Sequence, residues 1–151
     1  MEKVKYYTFG SWKGGNVMQL NIATDYAVRI VLYMSRQKGV ITSKELSDNL
    51  NISQAFIFKI MRKLNNAKIL NVLTGTYGGY ILVKEAKEIN LFEIMNAMEK
   101  TLKLHRCLEK GQEYGGSEWE SRILSNIYAD MQECFENKLK TITIQEILDT
   151  N

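Results

Sequence analysis

Proline is absent from this chain of 151 residues, and cysteine and histidine are scarce, with two and one respectively. Proline interrupts helices because it lacks a backbone N–H, so its absence suits a mostly helical protein. Two cysteines are too few for the disulfide framework of a small secreted domain and favour a reducing, cytoplasmic location. No apolar run is long enough to span a membrane, and no secretory signal is recognisable.

The motifs of the common enzyme classes are also missing. The chain has no Walker-type phosphate loop, no nucleophile elbow and no paired-carboxylate motif. Gly75, Gly78 and Gly79 look like part of a nucleotide-binding loop, but they are predicted to join two strands instead of opening a helix. The sequence therefore predicts a protein that is not an enzyme.

Charge is unevenly distributed, although the net charge is only +3. Residues 1–84 hold 12 Lys/Arg and 4 Asp/Glu, whereas residues 85–151 hold 8 and 13. No acidic residue lies between Asn49 and Lys84, which lowers the electrostatic cost of approaching phosphate. The basic half is predicted to face nucleic acid and the acidic half to serve dimerisation or sensing. A solvated helix face would give the same charge pattern. The order of the motifs therefore decides between that interpretation and a nucleic-acid-binding face.

The stretch from Thr42 to Val83 predicts two helices, a tight turn between them and a hairpin. Thr42 and Glu45 have the spacing of a capping box, which starts the first helix. Ile52 plugs the turn, and Ser53 caps the second helix. That helix has a core face of Phe56, Ile57, Ile60, Met61 and Leu64. Its outer face carries Gln54, Lys59, Arg62 and Lys63.

Two β-prone runs, 70–73 and 80–83, flank a glycine-rich turn and predict the hairpin. Helix, turn, helix and hairpin in this order form a winged helix-turn-helix, which places its second helix in a DNA groove. Helices are also predicted for 21–37, ending at Lys38–Gly39, and for the segment capped by Asn90. Their apolar stripes are Ile22, Tyr26, Ala27, Ile30, Val31 and Met34, and then Leu91, Ile94, Met95 and Met98.

Three motifs in one chain resemble the Rrf-two family of bacterial transcription regulators, which includes the IscR, NsrR and CymR types. They are TDYAVR at 24–29, SKELSDNLNIS at 43–53 and GTYGGY at 75–80. The resemblance runs from about Met18 to Leu148. It implies a mainly α fold with a small β wing, in which a winged helix-turn-helix domain precedes a long C-terminal dimerisation helix. It also implies a homodimer that binds double-stranded DNA at a pseudo-palindromic operator, and we expect a repressor.

Carried onto this chain, the resemblance assigns residues of the second helix and of the wing to DNA. With the basic Lys63 of the outer face, the predicted DNA-binding set is Ser53, Gln54, Ala55, Phe56, Lys59, Lys63, Thr74, Thr76 and Tyr77. Many relatives carry Arg at position 74, so a different sequence preference is expected here. Lys68 stands where relatives often have the helix-ending Gly.

The polar segment 100–116 is predicted to be a loop. In cluster-binding relatives this loop carries three cysteines that hold an iron–sulfur cluster, whereas here it has only Cys107. Asp25 matches a carboxylate ligand of the nitric-oxide-sensing relatives, and His105 is a further candidate. A cluster usually takes four protein ligands, mostly cysteine, so we expect no metal and no cofactor. Cys107 is the preferred redox candidate because a loop can expose it, although inert packing is the alternative.

The segment Ser117–Lys140 is predicted to form one long helix. Its apolar stripe is Trp119, Ile123, Leu124, Ile127, Tyr128, Met131, Cys134, Phe135 and Leu139. In isolation the stripe indicates core, whereas the resemblance makes this the dimerisation helix. The predicted interface is Trp119, Ile123, Ile127, Met131 and Cys134. Cys134 would pack there as a small hydrophobe. The tail after this helix is expected to form a short helix that packs back on the DNA-binding domain.

The predicted domain organisation has four parts. They are an extension at 1–17, the winged helix-turn-helix domain at 18–99, an effector-type loop at 100–116, and the dimerisation helix with its tail at 117–151. The codons of Lys13–Gly15 can resemble a ribosome-binding site, so translation starting at Met18 is one hypothesis. A basic arm that touches DNA is the other.

The leading prediction is thus a cluster-free DNA-binding regulator, with two alternatives. The first is a metal- or cluster-dependent redox sensor that uses Asp25, His105, Cys107 and Cys134. The second is a winged-helix protein-interaction module, anchored by Phe56 and Phe58. The signal is open between a small-molecule effector, oxidation of Cys107 and a partner enzyme.

Overall fold

In a computed structural model, residues 20–150 are described, and they form six α-helices and a two-stranded antiparallel sheet. The segment 1–17, with both hypotheses about it, lies outside the described residues. The helices are α1 (Ile22–Gln37), α2 (Ser43–Leu50), α3 (Gln54–Asn66), α4 (Leu91–Met98), α5 (Glu118–Thr141) and α6 (Ile144–Asp149). The strands are β1 (Leu70–Leu73) and β2 (Gly79–Leu82). The predicted fold class, mainly α with a small β wing, is confirmed.

The predicted caps lie at the helix starts. The Thr42 hydroxyl accepts from the Glu45 N–H at 3.1 Å, and the Asn90 side chain accepts from the Glu93 N–H at 3.0 Å. The Glu45 carboxylate accepts from the Tyr33 hydroxyl at 3.1 Å, which ties α2 to α1. Ser53 occupies the N-cap of α3 as predicted, but no described backbone N–H donates to its hydroxyl.

The core forms where α1, α3 and α4 meet. The buried side chains on α1 and α3 are Ala27, Ile30, Val31, Met34, Ile57, Ile60, Met61 and Leu64. Ile52 is 3% exposed and fills the turn, while Asn51 before it takes the left-handed conformation. The prediction that Ile22 belongs to the buried stripe of α1 is wrong. Ile22 lies in the first turn of α1, beyond the core, and is 60% exposed.

The hairpin pairs Leu70 with Leu82 and Leu73 with Gly79. Ile41, just before α2, forms an isolated antiparallel bridge with Tyr80 and so adds one pairing to the wing. A Cβ atom at Gly79 would lie 2.7 Å from the Ile41 carbonyl oxygen. Glycine is therefore needed there because the two backbones approach so closely.

The tail packs back on the N-terminal domain, as expected. Ile144 is fully buried, and its N–H donates to the Ile89 carbonyl at 2.9 Å. Ile147 and Leu148 pack against the same core. Within residues 20–150, no helix is long and apolar enough to cross a membrane.

Lys68 follows the C-cap of α3 with a φ of 60°. The Ile69 N–H donates to the Leu64 carbonyl at 3.1 Å, which is the backbone pattern of a Schellman ending. We expect Lys68→Gly to raise the free energy of unfolding by roughly 0.5–1 kcal/mol, because glycine takes this conformation without strain. Chemical denaturation measures the change. Lys138→Gly, at an exposed site of α5, is the control and should lower stability by about 1 kcal/mol. A less stable Lys68→Gly protein would contradict the argument.

Candidate nucleic-acid interface

One side of α3 is buried and the other faces outward. Because Ile57, Ile60 and Leu64 pack into the core, the side chains on the opposite side of the helix are exposed. The exposed residues on this outer face are Gln54, Ala55, Phe58, Lys59 and Arg62. Ser53 is exposed at the start of the same helix. The outer face of α3, defined by these residues, therefore combines amide, apolar and cationic groups.

Phe58 and Arg62 belong to this face but were not in the predicted DNA-binding set. Phe58 is 52% exposed. Gln54, Phe58 and Arg62 follow one another at intervals of four, which puts them on one line along the helix. That spacing was the signal in the sequence that would have found them.

Phe56 lies differently from the other predicted DNA-binding residues. Its ring is half-buried and meets the Tyr26 ring edge-to-face, with centroids 5.6 Å apart and planes at 83°. The Arg29 guanidinium lies 5.4 Å from the centre of the same Tyr26 ring and donates to the Leu50 carbonyl at 3.1 Å. Phe56 therefore helps to fix α3 against α1 and is less available for contacts with a partner than Phe58.

The side chain of Lys63 is hydrogen-bonded within the chain. Its ammonium donates to the Met98 carbonyl at 2.7 Å, at the C-terminus of α4. A cation is favourable at this end of a helix, where the carbonyl groups concentrate negative charge. Lys63 therefore holds α4 against α3, which sets it apart from Lys59.

The positive charge that is not paired with a carboxylate on the surface formed by α3 and the wing comes mainly from α3. Among the described residues, Lys59 and Arg62 make no ion pair, whereas the Lys84 ammonium lies 2.7 Å from a Glu93 carboxylate oxygen. The wing adds exposed polar groups at Thr74 and Thr76. Tyr77, at the tip of the hairpin, is 93% exposed.

The predicted effector loop is pinned to α5 by a buried side chain. Gln132 accepts from the Leu104 N–H at 2.8 Å and donates to the Leu102 carbonyl at 3.1 Å. It also donates to Glu136 at 2.9 Å. Hydrogen bonds from Lys103 and Gln132 hold the pKa of Glu136 below its usual value.

His105 is occupied by packing and by a backbone bond. Its ring stacks on Tyr128 at 4.6 Å with planes 9° apart, and its Nδ1 accepts from the Cys107 N–H at 3.2 Å. Within residues 20–150, no three His, Cys, Asp or Glu side chains converge as a metal-binding group. The candidate ligands Asp25, His105, Cys107 and Cys134 therefore do not fit an iron–sulfur cluster or a metal ion.

The two cysteines differ in exposure. Cys107 is half-buried in the loop, and Cys134 is exposed on α5. In the single chain Cys134 is therefore the more exposed thiol, because the loop that carries Cys107 lies against α5. The choice of Cys107 as the redox candidate stays a prediction.

A band of large apolar side chains on α5 faces away from the other described residues. Trp119 is 64% and Met131 52% exposed, and Ile123 and Ile127 are exposed beside them. Leu124, Tyr128, Phe135 and Leu139 lie on the packed side of the same helix. The predicted stripe thus divides into an inner part and an outer α5 band, which also contains Cys134.

Comparisons with known proteins agree with this architecture. The Rrf2 family, described as "Iron-dependent Transcriptional regulator", matches residues 20–150. The putative HTH-type transcriptional regulator YwgB of Bacillus subtilis is 27% identical over 135 residues, covering 87% of this chain and 85% of YwgB. The HTH-type transcriptional regulator NsrR of Shouchella clausii is 34% identical over 95 residues, covering 62% of this chain and 64% of NsrR.

A solved structure has the same fold. CymR of B. subtilis, described as the global cysteine regulator, superposes with a TM-score of 0.70 at 17% identity, covering 89% of this chain and 99% of CymR. The related proteins are transcription regulators and not enzymes, in agreement with the prediction from missing catalytic motifs. The chain belongs to the Rrf2 (Rrf-two) family and is a transcriptional regulator with a DNA-binding fold.

Proposed function

We propose that this protein is a homodimeric repressor that binds a pseudo-palindromic DNA operator and acts without an iron–sulfur cluster. The observation that carries the proposal is the outer face of α3, which is exposed along its length and free of acidic residues. A helix held in this way can enter the major groove. Repression needs no contact beyond occupation of the operator, so it is the simplest consequence of binding.

The proposed contacts follow from the chemistry of the exposed groups. Lys59 and Arg62 neutralise phosphates or hydrogen-bond guanine. Gln54 can pair with the edge of adenine, and Phe58 can contact a thymine methyl group. The wing residues Thr74, Thr76 and Tyr77 contact the DNA backbone. Ser53 and Ala55 lie at the N-terminal end of α3, which enters the groove.

The homodimer is supported by the outer α5 band. Large apolar side chains grouped on one helix face of a single chain are the usual sign of a protein interface. Two copies of α5 that cross at Trp119, Ile123, Ile127, Met131 and Cys134 would bury them. A two-fold dimer would also present two copies of α3 to the two half-sites of an operator.

The proposal that no cluster is bound rests on the donor set. One loop cysteine, one exposed cysteine on α5 and an engaged histidine fall short of four converging ligands. The redox-sensing alternative would require those side chains to come together.

Iron content decides this point. We expect protein purified without oxygen to contain neither iron nor sulfide in stoichiometric amounts and to have no visible absorbance. About one cluster per chain would overturn the cluster-free proposal, and Asp25, His105, Cys107 and Cys134 would then be the residues to substitute.

Operator binding is tested at Lys59. We expect Lys59→Glu to weaken specific binding tenfold or more while the dimer remains intact, because an acidic group would face phosphate. Lys110→Glu makes the same change in the exposed part of the loop and should bind as the wild type does. Fluorescence anisotropy at several salt concentrations measures both. Binding that is insensitive to salt would instead favour the protein-interaction alternative, for which the exposed Phe58 is the main support.

Phe56 and Phe58 form a matched pair. Phe58→Ala should weaken operator binding and leave stability nearly unchanged, because its ring lies outside the core. Phe56→Ala should lower the free energy of unfolding by roughly 1–3 kcal/mol, because its ring packs on Tyr26. Urea titration and operator titration of both variants separate the two roles. Equal effects of the two substitutions in both assays would refute the division.

Dimerisation is tested at Ile127. Ile127→Asp should break the dimer, because a carboxylate would be buried in an apolar interface. Ala129→Asp places the same group at an exposed α5 position outside the band and should leave the dimer intact. Light scattering of the two variants gives the answer, and a dimeric Ile127→Asp protein would place the interface elsewhere.

A further inference from the structure

A cleft of about 470 Å³ lies between the C-terminal end of α1, strand β2, the turn after the wing and α6. Small-molecule sites usually measure roughly 300–1,000 Å³, so the cleft is large enough for a metabolite. It is separate from the outer face of α3, from the loop 100–116 and from the outer α5 band. We call it the wing cleft. Its lining includes Ser35, Lys38, Glu85, Gln145, Ile81 and Leu82.

One residue that lines the wing cleft has a buried polar atom without a partner. The Ser35 hydroxyl oxygen is buried, and among the described residues nothing hydrogen-bonds to it. A buried hydroxyl without a partner carries a desolvation cost, so such groups are uncommon unless they serve a ligand or bind water.

Lys38 gives a second, independent observation. Its backbone has a φ of 56° and a ψ of 143°, a region that side-chain-bearing residues rarely occupy. Strain of this kind tends to lie at functional sites. No described residue forms an ion pair with Lys38, whereas Lys84 in the same cleft is neutralised by Glu93.

Glu85 supplies the opposite charge. It pairs with Lys87 at 2.8 Å, but both side chains are largely exposed, so this pair is weak and easily exchanged. Lys87, and to a smaller extent Lys38, hold the pKa of Glu85 below its usual value. The wing cleft therefore presents a cation and an anion whose charges interact, and Ile81 and Leu82 add an apolar wall.

We propose that the wing cleft binds a small zwitterion, an α-amino acid with an apolar side chain. Its carboxylate pairs with Lys38, and its ammonium pairs with Glu85. A rotation of the Ser35 side chain towards the cleft lets the hydroxyl donate to the same carboxylate. Its side chain packs on Ile81 and Leu82. Gly39 leads from Lys38 towards Ile41, which bridges the wing at Tyr80, so the ligand would lie where α1 joins the hairpin.

The test measures ligand binding to the full-length protein by calorimetry and by thermal unfolding, without DNA, so its outcome is independent of the proposed operator binding. The probes are L-leucine, L-valine, L-methionine and L-phenylalanine. At about ten times its Kd, a bound amino acid should raise Tm by roughly 2–5 °C. If none of the four binds at millimolar concentration, the proposal is wrong.

Two analogues of leucine test the contacts of its ammonium and of its carboxylate separately. 4-Methylpentanoate lacks the ammonium, and 3-methylbutylamine lacks the carboxylate. Both should bind at least tenfold more weakly than leucine, because each loses one charge-assisted contact. If 4-methylpentanoate binds as well as the amino acid, the assignment of Glu85 and of a zwitterion fails.

Three variants locate the ligand in the wing cleft. Lys38→Met should weaken binding tenfold or more, whereas Lys68→Met, the same change at another lysine with positive φ, should have no effect. Ser35→Ala should weaken binding severalfold without lowering Tm of the ligand-free protein, because the hydroxyl has no partner to lose. Wild-type affinity in both Lys38→Met and Ser35→Ala would overturn the site.

Discussion

The burial of Ile57, Ile60 and Leu64 is the contact on which the rest of the structure depends. These side chains insert between α1 and α4, and they decide which side of α3 faces outward. The turn before α3 serves the same end, because Ile52 plugs it and Asn51 takes the left-handed conformation that reverses the chain. The recognition role that we propose for α3 needs this rigidity, since a rotated helix would present its apolar face to DNA.

Polar contacts then lock the helix in place. Lys63 holds the end of α4, and Arg29 holds the end of α2 through the Leu50 carbonyl. The Tyr26 ring between α1 and α3 receives both Phe56 and Arg29. Basic and aromatic residues around α3, which we propose as the DNA-binding helix, thus divide into two groups. One group stabilises the orientation of α3, and the other remains available for a partner.

The C-terminal half is built on the same division of one helix into two sides. Gln132 and Leu139 are the buried residues of α5, and Gln132 binds the backbone of the loop 100–116. The opposite side of α5 keeps large apolar groups exposed. A signal that moves the loop would therefore act directly on the helix that we propose as the dimer interface.

The sequence by itself determined the helix caps, the glycine turn and the order of segments, because these depend on local spacing. It indicated the family through the resemblance of its motifs to those of known regulators. It also led to the prediction that the cysteines are too few for a cluster. Only the tertiary structure decided which of the side chains of Phe56, Phe58, Lys63 and Cys134 are held within the chain and which are exposed. The reason is that a helical stripe fixes the angle between side chains, whereas the neighbouring helix decides which of them it covers. Met98 lies 35 residues from Lys63, and no local pattern predicts that its carbonyl would receive the ammonium.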